Sequence, residues 1–321
     1  MRGTSDTLNT LCEIIKNSFF SFNKNSIGAN LFFLKPMLGI VDILAITLKN
    51  NSERVNDSLK RIFVEQDGDL TWICFLPWRT DLKTAQRYNL LPKEGNLIVY
   101  EVPDNLLGAI PQLTLDAFDS IKQDFEAVFI ECELSNKNIA FWGLSAGTLP
   151  AFYFANKCAC KKLVAVCPTA RLGEGIFSAF AARNIRKKSI ENGYTAELYD
   201  GLINDINIEN NLPNLPDDVT IHIARFDKFV PFSGGKKLVL RIKDIKRGAV
   251  IKKHNIFGHI LTLYSFGREN KKINLPQLNL TIRKKNFLLH HITRHIWFKN
   301  FALYNKSRKA KFPLPNCADD N

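Results

Sequence analysis

The chain has no run of residues suited to crossing a bilayer. Its most apolar stretch, residues 31–48, is interrupted by Lys35, Pro36 and Asp42, whereas a span needs about 20 apolar residues with few charges. It is expected to form helix packed in protein, with a membrane-associated helix as the alternative. Residues 1–20 mix Asp6, Glu13 and Lys16 into their apolar positions and lack the apolar core of a signal peptide. Cysteine is scarce and odd in number: Cys12, Cys74, Cys132, Cys158, Cys160, Cys167 and Cys317. Seven scattered thiols do not make a disulfide framework, so reduced thiols in a cytoplasmic protein are the simpler expectation. A single residue separates Cys158 from Cys160, and no second Cys or His pair has zinc-ligand spacing. No structural metal is therefore expected. Internal repeats and low-complexity tracts are also missing. Intrinsic disorder is excluded by a hydrophobic content of 45% against 23% charged residues.

Acidic residues are absent from one long segment. Between residues 270 and 315 there are eleven Lys and Arg and no Asp or Glu, within a chain whose formal net charge is +13. Most of the basic character thus belongs to an appendage. Leu288, Leu289, Ile292 and Ile296 fit one helical face there. The segment is expected either to dock on the domain with a solvated basic face, or to meet a membrane surface or another anionic partner. Nucleic-acid binding is not expected, because no recognition motif accompanies the charge.

What the sequence does contain is an alternation of strand-like and helix-like segments. Apolar positions at helical spacing over residues 8–22 and 29–49 predict a helical N-terminal extension, residues 1–58. Two β-prone runs, 59–64 and 71–76, flank the turn signal Gln66-Asp67-Gly68-Asp69 and are expected to pair as a hairpin. From residue 97 to residue 253, strands at 97–102, 138–142, 163–167, 219–224 and 249–253 alternate with helices at 115–130, 149–157 and 235–245. This predicts an α/β architecture, a doubly wound, mostly parallel sheet covered by helices on both faces. The core is assigned to 59–167 and 219–265. Residues 168–218 break the rhythm with helical patterns at 177–190 and 195–206, and are expected to form a lid insert. Residues 266–321 form the basic C-terminal extension. In such sheets ligands bind beyond the carboxyl ends of the strands.

The strongest chemical signal is Gly143-Leu144-Ser145-Ala146-Gly147, a G-x-S-x-G between a predicted strand and a predicted helix. A sharp strand-to-helix turn exposes the Ser side chain, and small flanking residues are needed where the backbone is crowded. Beyond the next strands lie Asp227-Lys228-Phe229-Val230-Pro231 and Gly258-His259. The chain order is therefore Ser145, Asp227, His259, each beyond the carboxyl end of a predicted strand. His254 is the nearest competing base, but it falls at a strand end and reads as a solvated or packing residue; His222, within a strand, reads as structural. Glu174 reads as a surface carboxylate and Cys167 as a small buried apolar residue.

These three motifs, in this order, resemble the α/β-hydrolase superfamily over about residues 59–265. The resemblance implies a nucleophile Ser145, a general base His259 and an acid Asp227 that holds the imidazole. It implies an oxyanion hole from the Ala146 N–H and a second donor in the loop after strand 71–76. The family carries a His-Gly pair or a glycine cluster in that loop, whereas this chain reads Pro77-Trp78-Arg79; Trp78 and Arg79 are the candidates. The expected activity is cleavage of an ester or thioester of a small-molecule or lipid acyl substrate, without metal or diffusible cofactor. Acyl transfer by the same residues, and a non-catalytic binding protein on the same fold, are the alternatives.

Overall fold

The structure is a computed structural model, and it describes residues 58–134, 138–255 and 257–270. The expected N-terminal helices and the basic segment beyond residue 270 lie outside the described residues. Among the described residues, no helix is long and apolar enough to cross a membrane.

Seven strands form one sheet: β1 Lys60–Val64, β2 Leu70–Phe75, β3 Asn96–Glu101, β4 Asn138–Leu144, β5 Lys162–Val166, β6 Asp218–Ala224 and β7 Val250–His254. Their order is β1-β3-β2-β4-β5-β6-β7. Only β1 runs antiparallel to its neighbour; every other pairing is parallel. The inner strands are nearly continuous apolar runs, as strands buried on both faces must be. The edge strands β1 and β7 keep exposed positions and carry Lys60, Lys252 and Lys253, charges that discourage further pairing.

The pleat sends alternate residues to opposite faces. Ile73, Phe75, Ile98, Tyr100 and Phe141 point to one core, and Trp72, Cys74, Val99, Ala140 and Trp142 to the other. The first face is covered by α2 Pro111–Glu131, α3 Thr148–Lys157 and α7 Phe232–Ile245; the second by α1 Leu82–Arg87 and α8 His259–Asn270. Between β5 and β6 lie α4 Leu172–Ser178, α5 Arg183–Glu191 and α6 Ala196–Leu202, followed by two 3₁₀ turns. A mostly parallel seven-stranded sheet with helices on both faces fits the α/β-hydrolase fold.

Two local expectations are corrected. Strands β1 and β2 do not form a hairpin, because β3 lies between them and pairs with both. The turn at 66–69 does reverse the chain, but it packs on the start of β3: Gly95 N donates to Asp67 O at 2.7 Å, and Gln66 N to Asn96 Oδ1 at 3.2 Å. Strand β2, apolar but for Thr71 and almost wholly buried, takes two parallel neighbours, β3 and β4; β1, half exposed, serves as an edge. The helix expected over 177–190 is two helices. Ala179 is extended at ψ 134°, ending α4, and Ala181 N donates to Lys228 O at 3.2 Å across the gap. Helix α1 was not foreseen. Helix α8 runs to Asn270, and its Phe266 is buried against Trp142 and His222.

The α2 and α3 faces meet through an aromatic cluster. The buried Phe154 ring lies 4.2 Å from that of Phe125, 5.9 Å from Phe75 and 6.3 Å from Phe118, between centroids. Removing so central a side chain forfeits transfer free energy and leaves a cavity. Phe154→Ala is expected to lower unfolding stability by about 3–5 kcal/mol in denaturant titration; a loss below about 1 kcal/mol would show that the cluster does not hold α3 on the sheet.

Candidate active site

Ser145 stands where β4 turns into α3. The strand ends at Leu144, residues 145–147 make a single 3₁₀ turn, and the helix begins at Thr148. Ser145 has φ 54°, the left-handed region that a non-glycine residue enters at a cost. Two glycines allow it. A Cβ on Gly147 would fall 2.2 Å from Phe75 O, and one on Gly143 would fall 2.6 Å from Ala151 Cβ and 2.7 Å from Thr148 Cα. The turn is closed by Thr148 Oγ1 donating to Ser145 O at 2.6 Å. Pro150 sits in the first turn of α3, where an N–H would have no helical acceptor.

Asp227 lies in the loop after β6. Its Oδ1 accepts the N–H groups of Phe229 and Val230, both at 2.7 Å. Its Oδ2 lies 2.7 Å from His259 Nδ1, and the two side chains are 2% and 3% exposed. A carboxylate accepts hydrogen bonds and does not donate. In this pairing Nδ1 is therefore the donor, and the lone pair of the neutral imidazole sits on Nε2. The Phe229 ring stacks on the imidazole, 4.8 Å away and 27° off parallel. One loop thus fixes both the tautomer and the plane of His259, the first residue of α8.

The loop after β2 lacks glycine and is held by other means. Arg79 has φ 55°. Its Nε donates to Asp104 Oδ2 at 2.9 Å, with the Asp104 side chain 5% exposed. The guanidinium lies over the Trp78 ring, 4.3 Å from its centroid, and Trp78 Nε1 donates to Asp104 O at 3.0 Å. Leu76 N donates to Tyr100 O at 3.0 Å, and Thr80 N closes a turn on Pro77 O at 3.0 Å. Asp104, in the 3₁₀ turn after β3, carries no sequence signal of this role.

Ser145, Ala146, Trp78, His259 and Cys167 line a single cavity. Its walls are apolar: Leu107, Leu149, Ile176, Ile185, Ile208 and Leu263. Three of these, Ile176, Ile185 and Ile208, come from segment 168–218, which is tied to the core by polar contacts. Tyr199 OH donates to Gly108 O at 2.8 Å and meets Thr114 Oγ1 at 2.7 Å, while Ser189 Oγ donates to Ala109 O at 2.6 Å. Buried Asp200 accepts from Gly173 N and Glu174 N at 2.6 and 2.9 Å, joining α6 to the start of α4. Glu174 pairs with Lys237 at 3.3 Å on the surface.

The remaining candidates fall elsewhere. His222 Nδ1 and His254 Nε2 lie 3.1 Å apart with their rings stacked, and His222 also packs edge-on against Phe266. Burial, with Lys252 and His254 nearby, pushes the His222 pKa down to about 3; burial also lowers that of His254. These are neutral packing residues.

No family model and no curated protein matches the chain. The chain is similar to several solved structures. An esterase from Exiguobacterium antarcticum is 13% identical, over 67% of this chain and 93% of its own, with a TM-score of 0.41. An α/β hydrolase from a Medee basin deep-sea metagenome library is 14% identical over 68% and 96%, with a TM-score of 0.40. An acylaminoacyl peptidase from Pyrococcus horikoshii is 10% identical over 77% of this chain but only 45% of its own, with a TM-score of 0.46. At such identities the likeness reaches neither substrate nor site residues.

The histidine pair makes stability depend on pH. Unfolded, His222 takes a proton near its ordinary 6.5; folded, it resists protonation down to about 3. The unfolded state therefore binds more protons over this window, and the contribution present above about pH 6.5 is lost as pH falls. Denaturant titrations from about pH 7.5 to about pH 4.5 should show falling stability, with a shallower slope in His222→Leu. An unchanged slope in that variant would remove His222 as the cause.

Proposed function

We propose that the chain is a serine hydrolase that cleaves an ester or thioester acyl bond. The observation that carries this reading is the buried Asp227–His259 pair, 2.7 Å apart, whose His259 lines one cavity with a serine held at positive φ. A serine hydroxyl is too weak an acid to attack unaided, and a neutral imidazole nitrogen is the base suited to near-neutral pH.

In this reading Ser145 Oγ attacks the acyl carbon while His259 Nε2 takes its proton. The carbonyl oxygen becomes an oxyanion and accepts from the Ala146 N–H, with Trp78 N–H as the second donor. Collapse breaks the acyl bond, and the departing alcohol or thiol takes the proton from His259. Water then attacks the acyl-enzyme with the same base, releasing the acid and restoring Ser145. Asp227 orients the imidazole and stabilises its protonated form throughout. No metal or diffusible cofactor takes part. The apolar walls suit an apolar acyl group, and segment 168–218 acts as the lid that shapes it.

The absence of glycine from 77–79 favours a second reading, a binding protein on the same fold. Fluorophosphonate labelling read by intact mass separates the two. A single adduct on wild type and none on Ser145→Ala supports the hydrolase; no adduct on folded wild type supports the binding protein. Formation of acylated acceptor without free acid would instead indicate acyl transfer.

The Arg79–Asp104 contact gives a further expectation. If it holds the loop that carries the second oxyanion donor, Asp104→Asn should lower kcat about 10-fold to 100-fold with KM little changed. A kcat equal to wild type would detach this contact from catalysis.

A further inference from the structure

Cys167 is the one thiol beside the proposed triad among the described residues. It follows β5, has φ 56°, and donates its backbone N–H to His222 O at 2.8 Å. Its Sγ, a carboxylate oxygen of Asp227 and a ring nitrogen of His259 all lie within 4.8 Å of one another. The three residues follow β5, β6 and β7, with His259 opening α8, so no local spacing in the sequence announces the cluster.

We propose that this cluster is a binding site for a thiophilic divalent cation of the zinc type, and that occupancy switches the active site off. Thiolate, imidazole and carboxylate are the three common protein ligands of zinc. Zinc–ligand distances of about 2.0–2.3 Å put tetrahedral ligands about 3.5 Å apart. Separations of at most 4.8 Å must shorten by no more than about 1.3 Å to reach that value. The cluster opens on the cavity that Cys167, Ser145 and His259 share, which provides an entry path and room for water as fourth ligand. Magnesium and calcium prefer all-oxygen shells and do not suit a site with sulfur and nitrogen donors.

The step balances without a redox partner. Cys167 gives its S–H proton to solvent and the sulfur lone pair forms the metal bond; His259 binds through the Nε2 lone pair, or through Nδ1 once the Nδ1 proton has passed to Nε2 by way of solvent, and a chelator reverses these steps. His259 and Asp227 are drawn into the metal shell, so the pairing that orients the base is lost. The inhibition rests on the hydrolase reading; the binding does not.

Cobalt(II) serves as the spectroscopic probe, because a cobalt–thiolate bond gives a near-ultraviolet charge-transfer band. The full chain is titrated as wild type, Ser145→Ala and Cys167→Ser. The expected result is a band in wild type and Ser145→Ala that saturates at one equivalent and is displaced by zinc, and its absence in Cys167→Ser. No band in wild type, or an equal band in Cys167→Ser, overturns the site. Should Cys167→Ser not fold, X-ray absorption of the zinc-loaded wild type decides: one sulfur with nitrogen and oxygen neighbours supports the site, and any other shell overturns it. Zinc should also slow ester cleavage reversibly, with at least about tenfold weaker inhibition in Cys167→Ser relative to its own ion-free rate. A cobalt band in a protein that takes no fluorophosphonate would retain the metal site and remove the hydrolase reading.

Discussion

The whole site depends on how closely the turn after β4 approaches the end of β2. Gly147 lies so near the Phe75 carbonyl that a methyl group would overlap it at 2.2 Å. That approach seats the Ser145 turn on the strand whose continuation is the Trp78 loop, so the serine and the loop share one cavity wall. It also forces Ser145 to positive φ, a strain of order 1–3 kcal/mol. The strain persists because α3, which begins two residues after Ala146, buries Leu149, Ala151, Phe152 and Phe154 in the core. Burial of that size exceeds the strain several-fold.

The same logic extends across the sheet. In a parallel sheet all carboxyl ends lie on one side, and here the ladder continues past the strands. Cys167 N donates to His222 O, Arg225 N to His254 O and Phe226 N to Phe257 O, at 2.8, 3.1 and 3.2 Å. These bonds pin the loops after β5, β6 and β7 to one another just before they deliver Cys167, Asp227 and His259. The pair formed by buried His222 and half-buried His254 sits on β6 and β7 before these loops, and burial lowers the pKa of both. A protonated pair at this position would place two like charges next to the loops that hold Asp227 and His259.

How much of this was legible in the sequence follows from where each constraint is local. The turn at Ser145 needs small residues two positions either side, and the loop after β6 needs Asp227 two and three residues before the amides of Phe229 and Val230. Both demands leave a mark over five residues or fewer, and both were readable. The strand–helix alternation was readable for the same reason. The partner of β1 was not: a turn at 66–69 states that the chain reverses, but not that β3, thirty residues later, will lie between. The break at 179–182 was hidden because Phe177, Ile185 and Ser189 continue a helical pattern through it, while the bond from Ala181 to Lys228 is a long-range contact. Asp104 was hidden for the same cause, since its partners Trp78 and Arg79 are set beside it only by the parallel pairing of β2 and β3.

Asp104 also explains how the loop can dispense with glycine. A glycine enters positive φ without steric cost but leaves the loop loose in the unfolded and folded states alike. Arg79 enters it at φ 55° with its guanidinium fixed at one end by a buried carboxylate and stacked on Trp78. The backbone cost is offset by a charge-assisted hydrogen bond and a cation–π contact in a partly desolvated place. The result is a loop whose shape is set by side chains instead of by backbone freedom. The loops that carry Cys167, Asp227 and His259 are held to one another by backbone bonds, while Ile176, Ile185 and Ile208 of the segment between β5 and β6 form the apolar wall. That segment is anchored by Tyr199 on Gly108 and Thr114 and by Ser189 on Ala109, and it meets the Asp227 loop through the bond from Ala181 N to Lys228 O, so the wall can be reshaped without disturbing that loop only where Ala181 keeps its place.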